Sequence, residues 1–279
     1  DILFGRVNPS GKLAETWPEH LQDTALGRSF PDTDREVLYR ESIYTGYRYF
    51  DAAGVEPAYP FGFGRSYTSF SYSEPTVSFV EGGIEASCTV ANTGACEGAE
   101  TVQLYVEPRA RTTFGERRRL VAFSKAKLAP GESVRVSMRV DELAFRFWDT
   151  YEHRWRIDEG CYDVLFCASS RDVRLTCGVF LGAGEGQSPF PVDSARSCAP
   201  KCEALAPYYE VVPGGFSDTA FAALYGTPLP PRRPVKPFTP DSPVSDLGTT
   251  FLGRQAFRIV DFLMAGQSKH MSDDMKAMM

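Results

Sequence analysis

Apolar and polar residues alternate in short runs along the middle of the chain, between residues 67 and 182. Such alternation places every second side chain on one face of a strand and is typical of a sheet with one buried face. Turn residues such as Asn92-Thr-Gly94 and Ala129-Pro-Gly131 separate the runs. About seven short strands, with turns every ~8–12 residues, predict an antiparallel β-sandwich. The runs lie at residues 76–80, 85–91, 100–106, 119–128, 133–140, 143–148, 162–168 and 173–177.

A run dense in aromatic residues, 47–70, precedes this region. It holds eight aromatic residues, two prolines and three glycines. Because glycine permits unusual turns and proline fixes φ, the run predicts a rigid junction rather than a helix or a simple strand. Residues 36–50 are rich in aromatic and β-branched residues and predict a strand interrupted at Gly46. A packed seam between domains is favoured over a carbohydrate platform, and we expect Arg65 and Tyr67 at any groove there.

Three regions follow from these patterns: 1–66, 67–182 and 183–279. The first has too little apolar sequence to close its own core and is expected to be the tail of a domain whose body lies upstream. The third opens with a flexible glycine-rich stretch, 182–188, and contains an extended proline-rich stretch, 228–240. Helices are predicted at 216–225, capped by Ser217 or Asp218, and at 252–264. We expect this extension to wrap other parts of the protein rather than fold alone.

Composition narrows the function. The net charge of −6 argues against a nucleic-acid partner. The sequence contains no run of about 18 apolar residues, the length that a membrane span needs. The chain begins at Asp1 rather than Met, so we expect it to be a piece of a longer protein. Seven cysteines at irregular spacing favour a reduced, cytoplasmic protein over a secreted one. Half of a zinc site at Cys198 and Cys202 is disfavoured, and neither a metal nor a cofactor is expected.

Little in the sequence indicates catalysis within this chain. It contains no phosphate-binding glycine loop that opens a helix and no Gly-x-Ser-x-Gly nucleophile turn. Glu41 lies in an aromatic-rich stretch, where a buried acid could have a raised pKa. Pairing of Glu41 with Arg40 or Arg48 is favoured over a catalytic role.

Three ordered motifs nevertheless resemble glycoside hydrolase family 3. Residues 1–13, which include Asn8-Pro-Ser-Gly11, resemble the end of the family's second, α/β sandwich domain, although Ala14 stands where proline is usual. Residues 39–50 and 59–70 resemble two further family motifs. The predicted β-sandwich is then similar to the family's fibronectin type III-like domain, with signposts at 92–94, 102–106, 128–133 and 168–172. The proline-rich tail resembles C-terminal extensions of some bacterial members.

The resemblance implies a mainly β chain: the tail of an α/β sandwich domain, a fibronectin type III-like domain and a partly helical extension. The family are mostly retaining exo-glycosidases, which need two carboxylates about 5–5.5 Å apart. Both lie upstream of residue 1 in the family, so no catalytic residue is assigned, and Glu41, Arg65 and Tyr67 are candidates only for the substrate rim. The whole enzyme is expected to remove a β-linked sugar from a glucoside or oligosaccharide, with this piece docked on upstream barrel and sandwich domains. The alternative is a non-catalytic carbohydrate-binding or structural module.

Overall fold

The computed structural model describes residues 1–27, 38–110, 115–149, 152–182, 188–193, 203–229, 238, 242 and 244–268. The chain divides into two units. The first comprises Asp1–Pro31 and Leu38–Leu229, and the second comprises Asp32–Val37 and Pro230–Met279. Three predicted features lie wholly or mostly outside the described residues: the cysteine pair at 198 and 202, the stretch 182–188 and the stretch 228–240.

A β-sandwich forms the centre of the first unit, as the alternating pattern predicted. One sheet has the strand order β1 (Phe70–Val80), β2 (Gly83–Asn92), β5 (Ser133–Asp141). The other has the order β4 (Arg119–Leu128), β3 (Gly98–Pro108), β8 (Gly160–Cys167), β9 (Val173–Leu181), and all these pairs are antiparallel. A hairpin of β6 (Phe147–Asp149) and β7 (Arg154–Arg156) stands beside them.

Alternation along the strands produces the core. In β5, Val136, Met138 and Val140 are buried while the residues between them are exposed. Their counterparts from both sheets meet in one cluster between the sheets. The largest fully buried aliphatic and aromatic members of this cluster are Phe166, Ile84, Leu104, Leu128, Leu181, Val90, Val102 and Val140.

One predicted strand of the sandwich, 143–148, is largely wrong. The Asp141 carboxylate accepts a hydrogen bond from the backbone N–H of Leu143 at 2.8 Å and caps a 3-10 helix, Glu142–Phe145. A capped turn satisfies backbone donors locally, which competes with sheet formation. Only the last two residues of the predicted run belong to a strand, β6.

The strand predicted at 36–50 is also wrong where the structure describes it. Residues 38–46 form turns, and α1 (Tyr47–Ala53) follows. The aromatic run therefore begins with a helix, contrary to expectation. Gly46 with φ 53° and Gly54 with φ 66° bound α1, because glycine adopts left-handed backbone at little cost.

Aromatic residues of this region bury against the C-terminal extension. Tyr44, Tyr49 and Phe50 share a second core with Tyr208 of α2 (Ala206–Tyr209), with Phe216, and with Ala220 of α3 (Asp218–Tyr225). Tyr208 and Phe216 stack with ring centroids 4.7 Å apart. The partners of these aromatic residues lie far away in sequence, so a local β propensity could not decide their structure.

Both predicted helices of the extension are present. Ser217 caps α3 by accepting a hydrogen bond from the backbone N–H of Ala220 at 3.1 Å. In the second unit, a 3-10 helix, Val244–Thr249, leads into α4 (Phe251–Ser268). None of the helices among the described residues has the length and apolar character needed to cross a membrane.

Candidate functional site

Of the predicted junction, residues 54–69 follow α1 without helix and are called the junction from here on. A buried glutamine holds them against the sandwich. Gln103 of β3 donates from Nε2 to the carbonyl oxygens of Gly62 at 3.0 Å and Ala168 at 2.9 Å. Its Oε1 accepts a hydrogen bond from the hydroxyl of Tyr105 at 2.8 Å. Lys12 adds a bond to the Ala168 carbonyl at 3.1 Å. Segments from the start of the chain, the junction, β3 and the turn after β8 thus meet at one polar centre.

Two glycines of the junction lie so close to neighbouring atoms that a side chain would not fit. Gly62 has φ +77°, and a Cβ atom there would lie 2.1 Å from Gln103 Oε1. At Gly64 a Cβ would lie 2.3 Å from the backbone oxygen of Gly11. No side chain fits at either distance. These glycines therefore allow the junction to pack closely on Gln103 and Gly11, in addition to allowing the chain to turn.

Beside the junction, charged residues join α1 to the sandwich. Asp51 is buried, and one of its carboxylate oxygens lies 2.7 Å from Nε of Arg171. Arg171 also donates to the carbonyl oxygens of Phe50 and Val55. Arg118 lies 3.7 Å from the other oxygen of Asp51. Burial raises the pKa of Asp51, and the two guanidinium groups oppose that shift.

Glu41 is buried in the turn before α1, and its Oε2 has no hydrogen-bond partner. The expected pairing with Arg40 or Arg48 is wrong. Arg40 pairs instead with Asp218, with Nε and Oδ1 2.6 Å apart, and the Arg48 guanidinium lies over the Tyr47 ring. Desolvation, together with the nearby Glu41 charge, raises the pKa of Tyr208 to about 12.

Arg65 and Tyr67, the other rim candidates, are both exposed. The Tyr67 hydroxyl donates to the carbonyl of Ile2 at 3.0 Å, and its backbone N–H donates to Oδ1 of Asn8 at 2.9 Å. Asn8 also donates to the carbonyl of Glu97, just before β3. The Asn-Pro-Ser-Gly motif thus fixes Tyr67 at the surface, whereas Glu41 lies in the separate aromatic core of the extension.

Arginine or lysine neutralises most buried carboxylates of the first unit. Glu100 pairs with Lys12 at 2.9 Å, and Asp51 pairs with Arg171. Asp149 and Asp158 share Arg156. Among the described residues, Glu41 differs from these paired carboxylates, because its Oε2 is buried without a hydrogen-bond partner. Within the described residues, no group of three or more His, Cys, Asp or Glu residues is placed to hold a metal ion.

An exposed tryptophan pair, which was not predicted from the sequence, lies on the β6–β7 hairpin. Trp148 of β6 and Trp155 of β7 lie directly opposite each other, with ring centroids 5.5 Å apart and planes at 75°. The signal was available: one tryptophan stands on each side of a short polar turn, and such placement predicts a cross-strand pair.

Two family models match this chain. The glycosyl hydrolase family 3 C-terminal domain matches residues 1–67, and the fibronectin type III-like domain matches residues 100–170. The first match ends within the junction, and the second falls inside the sandwich.

Known proteins match the same regions. Thermostable β-glucosidase B of Acetivibrio thermocellus is 41% identical over 63% of this chain and 24% of its own length. An exo-α-(1→6)-L-arabinopyranosidase of Bifidobacterium longum is 32% identical over 96% of this chain and 35% of its own length. The crystal structure of DesR, a β-glucosidase from Streptomyces venezuelae in complex with D-glucose, has a TM-score of 0.62. It is 38% identical and covers 65% of this chain and 24% of its own. The chain thus spans about a quarter to a third of the length of these relatives.

Proposed function

Because this chain carries the C-terminal domain of glycosyl hydrolase family 3 followed by a fibronectin type III-like domain, we propose that it is the scaffold portion of an exo-acting β-glycosidase. The whole enzyme, resembling a β-glucosidase, hydrolyses terminal O-glycosidic bonds with retention of configuration. Its substrate is a β-linked glucoside or oligosaccharide. The reacting carboxylates are supplied by upstream barrel and sandwich domains.

The match of both family models in their order carries this proposal. The packing supports it, because charged and polar groups around Gln103, Asp51 and Arg171 hold the first matched region rigidly on the second. A rigid support is what a glycosidase needs, since a small displacement of catalytic groups costs much of the rate. The cation partners of the buried carboxylates favour this supporting role over chemistry within the chain.

Exposure favours Arg65 and Tyr67 over Glu41 as rim residues. Tyr67 is 55% exposed and is held by hydrogen bonds at both its backbone and its hydroxyl, so its ring can contact a sugar without further ordering. We expect Glu41 to take part in substrate binding only if a group of an upstream domain inserts beside its Oε2, which has no hydrogen-bond partner. Arg65→Ala and Tyr67→Ala in the longer enzyme should raise KM for the glycoside, and Arg6→Ala serves as an exposed control.

Comparison of the chain with and without its upstream domains tests the proposed function. The 279-residue chain should give no turnover of an aryl β-glucoside, and the longer protein should hydrolyse it with retained anomeric configuration. Turnover by the chain alone would refute its scaffold role. A longer protein without any glycosidase activity would instead favour a non-catalytic carbohydrate-binding or structural module.

The Bifidobacterium relative supports a second candidate substrate. Its similarity extends over 96% of this chain and so includes most of the extension, whereas the Acetivibrio β-glucosidase matches 63%. We therefore include α-L-arabinopyranosides among the possible substrates. Parallel assays of the longer protein with aryl β-D-glucoside and aryl α-L-arabinopyranoside separate the two candidates by their ratio of kcat/KM.

A further inference from the structure

All three tryptophans of this chain are about half exposed. The exposed fractions are 48% for Trp17, 47% for Trp148 and 58% for Trp155. Tryptophan is one of the most buried residues on average, so an exposed pair on one short hairpin calls for an explanation. Trp17 differs from the pair, because its indole N–H donates to the Glu15 carboxylate at 3.1 Å. Neither Trp148 nor Trp155 makes an indole hydrogen bond to the described residues.

A buried arginine makes the hairpin rigid. Arg156 is 3% exposed and lies 3.0 Å from a carboxylate oxygen of Asp158, 3.3 Å from one of Glu152 and 3.6 Å from one of Asp149. Arg154 pairs with Asp193 at 2.6 Å, and the backbone N–H of Asp193 donates to the carbonyl of Ile157. The strands that carry the two rings are therefore fixed before any ligand arrives, and this lowers the entropic cost of binding.

The geometry of the rings favours a single soluble chain as the ligand. Ring planes at 75° form a corner, whereas a flat crystalline surface would need coplanar rings. Sugars present C–H faces that stack on aromatic rings and hydroxyl groups that seek hydrogen bonds. Both indole N–H groups can donate to such hydroxyls, whereas Arg154, the preceding residue of β7, lies on the opposite face of the hairpin and pairs with Asp193.

The pair is too small for a stable protein interface. A tryptophan side chain can bury at most about 250 Å², so two half-exposed rings offer roughly 250 Å² together. A specific protein–protein contact usually buries about 800 Å² on each partner. One or two sugar rings match the smaller area.

We propose that Trp148 and Trp155 form a binding platform for a soluble β-linked oligosaccharide. It would hold a sugar chain on the sandwich domain independently of the reacting groups. The identity of the ligand rests on the proposed function, because glycosidase chemistry makes β-linked chains the relevant class. The geometry alone indicates a sugar-sized, stacking ligand.

Calorimetric titration of the 279-residue chain tests the platform. The probes are cellopentaose and laminaripentaose, with maltopentaose as the α-linked control. Trp148→Ala and Trp155→Ala should each weaken binding at least about tenfold, as expected for loss of one stacking ring. Trp155→Phe should retain part of the affinity while preserving the cross-strand aromatic pair. Trp17→Ala, at a tryptophan of equal exposure, should leave binding within about twofold.

Several results would overturn the proposal. These are an absence of binding to both β-linked probes, equal binding of maltopentaose, and unchanged affinity in both alanine variants. Binding by the chain that disappears in the longer protein would assign the rings to a domain contact instead. Hydrolysis of an aryl β-glucoside by the longer protein is measured separately. Activity without pentaose binding refutes only the platform, and pentaose binding without activity refutes only the proposed hydrolase.

Discussion

Replacing Gln103 by leucine should destabilise the first unit strongly, because it removes three buried hydrogen bonds without changing the side-chain volume much. The Tyr105 hydroxyl and the Gly62 carbonyl lose their bond to Gln103, whereas the Ala168 carbonyl keeps Lys12. An unsatisfied buried group costs about 1–3 kcal/mol, so two such groups lower the free energy of unfolding by about 2–6 kcal/mol.

A double-mutant cycle isolates the cause. Tyr105→Phe alone leaves Gln103 Oε1 unpaired and should cost about 1–3 kcal/mol. In the double variant neither partner of that bond remains, so its cost should be at least about 1 kcal/mol below the sum of the single costs. Urea titrations followed by circular dichroism measure all three values, with the exposed Gln22→Leu as the matched control. Costs that add within about 0.5 kcal/mol would refute the buried-bond reasoning.

Three further predictions concern the junction, the buried ion pair and the thiols. Gly62→Ala should lower the free energy of unfolding by about 1–3 kcal/mol, because it combines a left-handed φ with a Cβ clash. Arg171→Ala should lower it by about 3–5 kcal/mol, because it leaves the buried Asp51 carboxylate without its closest cation. Burial raises the pKa of the Cys167 thiol to about 12, so iodoacetamide at pH 8 should label exposed Cys161 and spare Cys167. Labelling of Cys167 should accelerate as pH rises, since the thiolate reacts.

Each of these predictions has a control. Gly54→Ala shares a positive φ but has no heavy atom within 4 Å of its Cβ position, so it should cost less than Gly62→Ala. If the two variants lost equal amounts of stability, the Cβ clash at Gly62 would not contribute to the loss. The exposed Arg6→Ala should change stability by less than about 1 kcal/mol, and a similar loss in Arg171→Ala would contradict its burial argument. Peptide mapping distinguishes the two cysteines, and equal labelling rates in the folded protein would contradict the burial of Cys167.

The sandwich could be predicted from sequence because its signal is local. Alternation in 133–140 predicts which side chains of β5 face the core. The turn residues around 92–94 and 129–131 predict where strands end. Ser217 marked the start of α3 by the same kind of local chemistry. Each of these features depends on residues within a few positions of one another.

Other features depend on partners that are distant in sequence. Glu41 was expected to pair with Arg40 or Arg48, but the partner of Arg40 is Asp218, which lies 178 residues away. The turns and helix at 38–53 form because their aromatic residues pack on α2 and α3. Arg65 and Tyr67 were expected at any groove of a packed seam; both are exposed, and their role at a substrate rim stays a prediction. The burial of Glu41 depends on the distant extension. Sequence spacing alone cannot supply such contacts.

The aromatic core shared by Tyr44, Tyr49 and Phe216 also bears on the order in which the protein can fold during synthesis. A ribosome adds about 5–20 residues per second, so roughly 10–30 s separate Tyr44 from Phe216. The sandwich ends at Leu181 and can close within that interval. Until Phe216 emerges, the rings of α1 lack their cover. A chaperone that binds exposed aromatic residues should therefore engage the nascent chain at α1 and be released once α3 has been made.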